Sequence, residues 1–311
     1  MIKIYHKTIK DTELKELKRF KIGSWLHVEK PKENELNYLA KNFSIDFGLL
    51  KDAIDPYEVP RFEIDKKGIF VFTRAPWKDE KGRVFTSPLL IAVGEDFVLT
   101  LSYQHSLFSD KFINNKTEFS TTQKTKLFLQ FFSEIIYSYN HFLIDINRNV
   151  RAVSVQLEKI TDKNIAQFVS FENIVNDFLA ALVPTNTILN NLLSASSRAM
   201  PLELYEKDRD LIEDLSLSGN QLVELCRSTL KTIVNIRESY SAIVANSLSR
   251  VMKFLTALTV IITLPVAIAG FYGMNVSLPF SKSPLAFWYI VIGNLILALV
   301  LLVVFIKKKW L

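Results

Sequence analysis

Seven residues recur at spacings of three and four along one stretch of the chain: Ser249, Met252, Thr256, Thr259, Thr263, Val266 and Gly270. On a helix they share one face, while Leu258, Ile261, Ile262 and Ile268 fall on the others. A stripe of small, hydroxyl-bearing and thioether side chains in an aliphatic helix suits a narrow, uncharged pore. It equally suits close helix packing, where Ser, Thr and Gly also concentrate. Just beyond the stripe stands Tyr272-Gly273-Met274-Asn275. There the Asn275 carboxamide and the backbone carbonyls near Gly273 offer neutral oxygens of the kind a hydrated cation can be held by.

The element that carries this chemistry is apolar enough to cross a membrane. From Phe254 to Leu311 there is no acidic residue, and the only basic ones are Lys282, Lys307, Lys308 and Lys309. The uncharged runs Phe254 to Phe280 and Ser283 to Ile306 each exceed the roughly 20 residues a helix needs to span about 30 Å of hydrocarbon. Two spans are expected, joined by a short connection. Basic residues are retained on the cytoplasmic side. Arg250 and Lys253 before the first span, and Lys307 to Lys309 after the second, therefore put both ends in the cytoplasm and Tyr272 to Asn275 outside. Trp288, Tyr289 and Trp310 suit the interfacial belts.

The spans hold no Asp, Glu or His. Proton-coupled carriers generally keep an ionisable relay in the membrane, and transition-metal carriers keep imidazole or carboxylate ligands there. An ion crossing here meets only the Asn275 amide, backbone carbonyls and threonine hydroxyls. Mg²⁺ fits that inventory, because it sheds water reluctantly and can be recognised through its hydration shell. A membrane potential supplies roughly 2.3 kcal/mol per charge per 100 mV, about twice that for a divalent ion, so no ATP site is required.

The net charge of +6 is not a nucleic-acid signature. All 32 acidic residues and 34 of the 38 basic ones precede Phe254, which leaves the first 253 residues nearly neutral. A single cysteine, Cys226, cannot form an intramolecular disulfide and fits a reducing compartment. Met1 to Lys7 lacks the apolar core of a cleaved signal peptide.

Before about residue 104 the apolar residues come in short β-rich runs: Trp25 to Val28, Ile69 to Thr73, Leu89 to Val93 and Phe97 to Leu101. Lys66-Lys67-Gly68 and Gly94-Glu95-Asp96 read as turns, and Glu33 to Phe43 and Phe47 to Ile54 as helices, which gives a mixed α/β unit over 1–120. Helical periodicity then takes over for 121–197. Residues 124–160 form one helix with Leu127, Phe131, Ile135, Tyr139, Phe142, Ile146 and Val150 inward, and a second runs from Lys163 to Ala195, disturbed at Pro184.

From Pro201 there is no further proline until Pro265, so one helix of some 70 residues, about 100 Å at 1.5 Å per residue, can run into the first span. Its weakest point is Gly219-Asn220. A heptad-like stripe of Leu204, Leu211, Leu215, Leu222, Cys226, Ile233, Ile236, Tyr240 and Ile243 requires partners. The boundaries expected are a stalk at 198–253, a first span at 254–275, an outer loop at 276–284, a second span at 285–306 and a basic tail at 307–311. A two-span hairpin encloses no pore, so transport through it demands an oligomer.

At these residues the chain resembles the CorA family of magnesium transporters. The resemblance rests on Tyr272-Gly273-Met274-Asn275 between two C-terminal spans, on Val251-Met252-Lys253-Phe254-Leu255-Thr256 upstream, and on the ending Lys307-Lys308-Lys309-Trp310-Leu311. It implies a homopentamer with a cytosolic α/β/α funnel and long stalk helices in the cell membrane. It also implies an outer selectivity ring of Gly273, Met274 and Asn275, and a hydrophobic gate at Met252 and Leu255 with Thr259 and Thr263 further along the pore. Regulatory Mg²⁺ would sit at Asp214, with a second acidic ring at Glu238. Mg²⁺ is thus both substrate and regulatory ligand, with Co²⁺ and Ni²⁺ as further candidate substrates.

Three departures stand out: Ser249 where relatives often have Asn, with Asn246 one turn earlier; Pro265, displaced by one residue; and an outer loop, Val276 to Pro284, without an acid. Two rivals remain open from the residues, a zinc transporter on the same scaffold and a membrane-anchored binding module. No P-loop, nucleophile elbow or paired-cysteine motif supports an enzyme. His6, His27, His105 and His141 show no ligand spacing and read as structural or exposed. The acidic run Asp208, Asp210, Glu213 and Asp214 reads, without the family, as a solvated helix face.

Overall fold

The computed structural model describes residues 1–65, 67–79, 82–105, 107–154, 160–194, 204–276, 279 and 283–310. Lys66 of the expected turn, residues 155–159 of the expected 124–160 helix, the helix-end residues Ala195 and Pro201, and Lys282 of the outer connection lie outside them. The chain divides into two units, Met1–Asn235 and Ile236–Leu311.

The first unit is built on a seven-stranded mixed sheet. Its strands are β1 (Ile2–His6), β2 (Lys15–Leu17), β3 (Ser24–Glu29), β4 (Arg61–Asp65), β5 (Gly68–Lys78), β6 (Val84–Gly94) and β7 (Phe97–Ser102), in the order β2-β1-β3-β7-β6-β5-β4. Only the β3 and β7 pair is parallel, with Trp25 beside Val98 and Leu26 beside Leu99. The β6 to β7 connection is the expected Gly94-Glu95-Asp96 turn. Gly94 is required there, since a Cβ would stand 2.6 Å from the Phe97 ring.

Strand alternation sends side chains to two helical layers. Leu26 and Val28 of β3, Phe70 and Phe72 of β5, and Leu99 and Leu101 of β7 share a core with Leu36 and Leu39 of α1 (Glu33–Phe43) and Leu50 of α2 (Phe47–Asp52). On the other face Trp25 meets Phe112 of α3 (Leu107–Ile113) and Phe131 of α4 (Lys124–Ser154). The Thr73 hydroxyl there lies 3.1 Å from that of Thr185 on α5 (Asp162–Ser194). A sheet covered on both faces needs near-continuous apolar strands, which is why β5, β6 and β7 stand out in the sequence.

In α4 the expected inward positions are buried except Phe142, whose neighbour Leu143 takes the core position instead. Helix α5 runs through Pro184 without a break. Just after it, Thr185 donates to Ala181 O at 2.7 Å and Thr187 to Val183 O at 3.2 Å. Helix α6 (Glu206–Tyr272) is continuous over 67 residues, and Gly219-Asn220 does not interrupt it. Within the first unit it buries Ile212, Leu215, Leu222, Cys226 and Ile233. Polar clasps fix it laterally: Asn186 Nδ2 to Asn220 Oδ1 at 3.0 Å, Ser216 Oγ to Asn190 Oδ1 at 2.7 Å, and Asn147 Nδ2 to Thr229 Oγ1 at 3.1 Å.

The second unit comprises the remainder of α6 and α7 (Ala286–Lys307). Both helices are long and apolar enough to cross a membrane, and almost nothing in their apolar windows is buried within the chain. Ala257, fully buried, is the exception. At about 33 Å for its 22 residues, α7 matches the hydrocarbon thickness.

Candidate ion pathway

The proposed pore residues lie on α6 and on the turn that ends it. Met252 and Leu255 are half exposed, and Thr256, Thr259 and Thr263 are exposed on the same helix. Thr256 Oγ1 donates to Met252 O and Thr259 Oγ1 to Leu255 O, each at 2.8 Å. A hydroxyl whose proton is committed to a backbone carbonyl has only lone pairs left to present. Such a group can present only acceptor oxygen to a cation, with no free donor to repel it.

Helix α6 ends in a tight turn. Gly273 N donates to both Ala269 O and Gly270 O at 3.1 Å, and Met274 N to Phe271 O at 3.2 Å. That turn consumes the donors of Gly273 and Met274 and leaves Asn275, the next residue, exposed outside the helix. Gly273, Met274 and Asn275 therefore follow one another just beyond the helix terminus.

The proposed regulatory positions are exposed on α6, Asp214 among residues of the first unit and Glu238 among those of the second. Asp208 does something more local. Its carboxylate accepts from Tyr205 N at 3.1 Å and, with Glu206, places negative charge at the positive end of the helix. Among the described residues no group of three His, Cys, Asp or Glu side chains could hold a metal ion.

Two features escaped the sequence. Asn294 lies midway along α7 and lines a cavity of about 690 Å³ with Ile268, Tyr272, Tyr289, Ile290 and Gly293. Its Oδ1 is buried without a hydrogen-bond partner. A lone amide in an aliphatic span is the signal that could have found it. The second feature is a convergence that the sequence did not suggest: buried His27 and exposed His105 both meet Glu29. No sequence spacing reveals that, because β3 and the segment after β7 come together only through the sheet.

A mixed α/β unit, one 67-residue helix and two C-terminal apolar helices with an acid-free polar stripe define a membrane transporter with a large extramembrane unit. The chain belongs to the CorA-like Mg²⁺ transporter family, whose model matches residues 21–308. It is similar to the cobalt/magnesium transport protein CorA of Methanocaldococcus jannaschii, with 24% identity over 301 residues, covering 92% of this chain and 90% of that one. The complete structure of the CorA magnesium transporter from that organism has the same fold, at TM-score 0.86 and 21% identity over 100% of this chain and 99% of that one. The full-length CmaX protein is also similar, at TM-score 0.77 and 16% identity over 99% of this chain and 98% of that one.

Proposed function

We propose that the chain assembles as a homopentamer and conducts Mg²⁺ into the cytoplasm down its electrochemical gradient, with Co²⁺ and Ni²⁺ as further substrates. Both termini are cytoplasmic and the membrane is the cell membrane. The observation that carries this reading is the neutral oxygen path: threonine hydroxyls with committed protons, then the α6 terminus with its exposed Asn275. The family membership and the relative's name support the choice of ion.

In this reading Gly273, Met274 and Asn275 of five copies form a ring that meets the hydrated ion. Met252 and Leu255 form a constriction that closes by dewetting, with Thr259 and Thr263 lining the pore beyond it. Intracellular Mg²⁺ bound at Asp214, with Glu238 as a second acidic ring, neutralises carboxylates between neighbouring copies and holds the assembly closed. When Mg²⁺ falls, repulsion between the bare carboxylates shifts the population towards the open state.

The test is growth rescue of a Mg²⁺-transport-deficient cell at low external Mg²⁺, repeated with Asn275 replaced. Water accessibility of the stripe gives a second arm, through cysteine substitution at Thr259 and Thr263. The native thiol does not interfere, because Cys226 is buried and burial pushes its pKa up to about 12. Thiol reagents that fail to reach either position would assign the stripe to helix packing.

A further inference from the structure

At the end of β3, one carboxylate gathers two histidines. Glu29 Oε1 lies 3.3 Å from His27 Nε2, and Oε2 lies 3.0 Å from His105 Nδ1. The other nitrogen of His105, Nε2, lies 3.1 Å from Asp110 Oδ2 on α3. His105 belongs to the segment between β7 and α3, so its ring bridges the sheet to the helix.

The two rings differ in their partners. The Trp25 indole donates to Thr100 Oγ1 at 2.9 Å. The same hydroxyl lies 3.1 Å from His27 Nδ1 and can donate to it or accept from it, while His27 Nε2 faces Glu29. His105 differs. Both its nitrogens face carboxylate oxygens, which only accept when ionised, so both bonds form only when the ring is the doubly protonated cation. Every imidazole nitrogen of the cluster has a polar partner within 3.3 Å, and no metal-ligand group is found among the described residues.

We infer that His105 is a proton-operated latch: protonated, it ties α3 to the end of β3 through Asp110 and Glu29, and on losing its proton it drops at least one of the two bonds. Helix α3 is held besides by Phe108 and Phe112, which pack edge-on against Phe131 of α4, by Lys111 paired with Glu134 of α4 at 2.5 Å, and by Ser109 Oγ, which donates to Glu29 Oε1 at 3.4 Å, so His105 adds a pH-dependent tie to fixed ones. The latch thus sets how firmly the α3 layer is pinned between sheet and α4. A pH change in the compartment bathing this unit would reach α4 by that route.

The other charged groups around the ring come from several elements: Lys3 of β1, His27 of β3, Lys30 and Lys32 after β3, Glu35 of α1 and the Met1 ammonium. Glu35 is taken up by that ammonium at 3.3 Å and by the backbone N–H groups of Ile2 and Lys32. The three lysines oppose a cationic ring, yet the hydrogen bond that His105 donates to Glu29 is the first cause of a His105 pKa raised above its ordinary value, against desolvation, with Asp110 adding to the rise. The sign follows: the latch is fully formed below the ordinary histidine pKa and is lost as pH rises through the higher folded value.

The test is histidine C2–H exchange by mass spectrometry on the full chain in nanodiscs, with amide exchange of residues 103–113 between pH 6 and 8. The chain has four histidines, and His6 serves as an internal contrast, since burial and Lys21 lower its pKa. His105 is expected to titrate above 6.5 and above His6, and Glu29→Gln and Asp110→Asn each to lower it. Amide protection of 103–113, corrected for intrinsic rate, should fall as pH rises, and His105→Gln should abolish that dependence. A His105 midpoint at or below that of His6 overturns the latch, as does the same pH dependence in the His105→Gln protein. If that variant does not assemble, Asp110→Asn, which preserves a hydrogen-bonding side chain, decides through the His105 midpoint alone.

Discussion

Gly219 of α6 lies directly against the carboxamide of Asn186 on α5, and a Cβ at Gly219 would overlap Asn186 Oδ1. Asn186 is buried and its amide nitrogen is already bonded to Asn220. What reads in sequence as a weak point in a long helix is therefore a contact position.

The consequence is a reversed sign for an ordinary substitution. In an exposed helix Gly→Ala stabilises by about 1 kcal/mol, whereas overpacking a tight contact costs about 1–3 kcal/mol. Gly219→Ala is expected to destabilise the chain by about 1 kcal/mol and to lower the thermal midpoint. A midpoint at or above wild type would mean that Asn186 swings away freely.

The proposed Met252/Leu255 constriction predicts a leak. Replacing both with Gly or Ser lets water remain where a ring of thioether and isobutyl groups excludes it. Currents recorded at high internal Mg²⁺ should persist in the double variant when wild type is closed. Closure as tight as wild type would move the gate elsewhere.

Much of this was legible because the membrane and the sheet impose long, simple patterns. An acid-free stretch from Phe254, the short apolar runs of β3, β5, β6 and β7, and the 3.6-residue period of α4 survive without knowledge of any tertiary contact. The strands β1, β2 and β4 are short or exposed edge segments, and their sequences carry no such pattern. Helix α3 has only seven residues and owes its place to Phe108 and Phe112. Pro184 lies inside α5 without ending it, although a proline removes one helical N–H. The His27, Glu29, His105 and Asp110 cluster was invisible, since the parallel β3 and β7 pairing that assembles it spans some seventy residues of chain. The stripe with Met252, Thr259 and Thr263 was readable from spacing, whereas the proposed gate role of Leu255 and the proposed sensor positions Asp214 and Glu238 came from the family resemblance alone.

Asn275→Ala should abolish Mg²⁺ uptake and leave assembly intact. The residue is exposed beyond the end of α6, so truncation removes an amide oxygen without opening a core cavity. Uptake of radiolabelled or fluorescent-indicator-reported Mg²⁺ at low external concentration, with oligomer size checked in detergent, is the measurement. Near-normal uptake would remove Asn275 from the selectivity ring.

Asp214→Ala concerns sensing, and its outcome needs care. The carboxylate is exposed on α6, so the substitution breaks no buried contact. In the proposed mechanism it contributes a hard oxygen ligand and a negative charge that must be neutralised before neighbouring copies close together. Alanine removes both, and the two losses act oppositely on basal activity: a lost ligand favours opening, while relieved repulsion favours closure. Basal flux therefore decides nothing. The informative quantity is the dependence of closure on internal Mg²⁺, because a ligand that binds one state better shifts the equilibrium only by that differential affinity. The expected result is a shallower response with a midpoint at higher Mg²⁺, and weaker Mg²⁺-dependent protection of the extramembrane unit from protease. Asp214→Asn separates the two terms, since it keeps an oxygen while discarding the charge. Unchanged midpoint and slope in correctly assembled Asp214→Ala would leave Asp214 as one more acid on a solvated helix face.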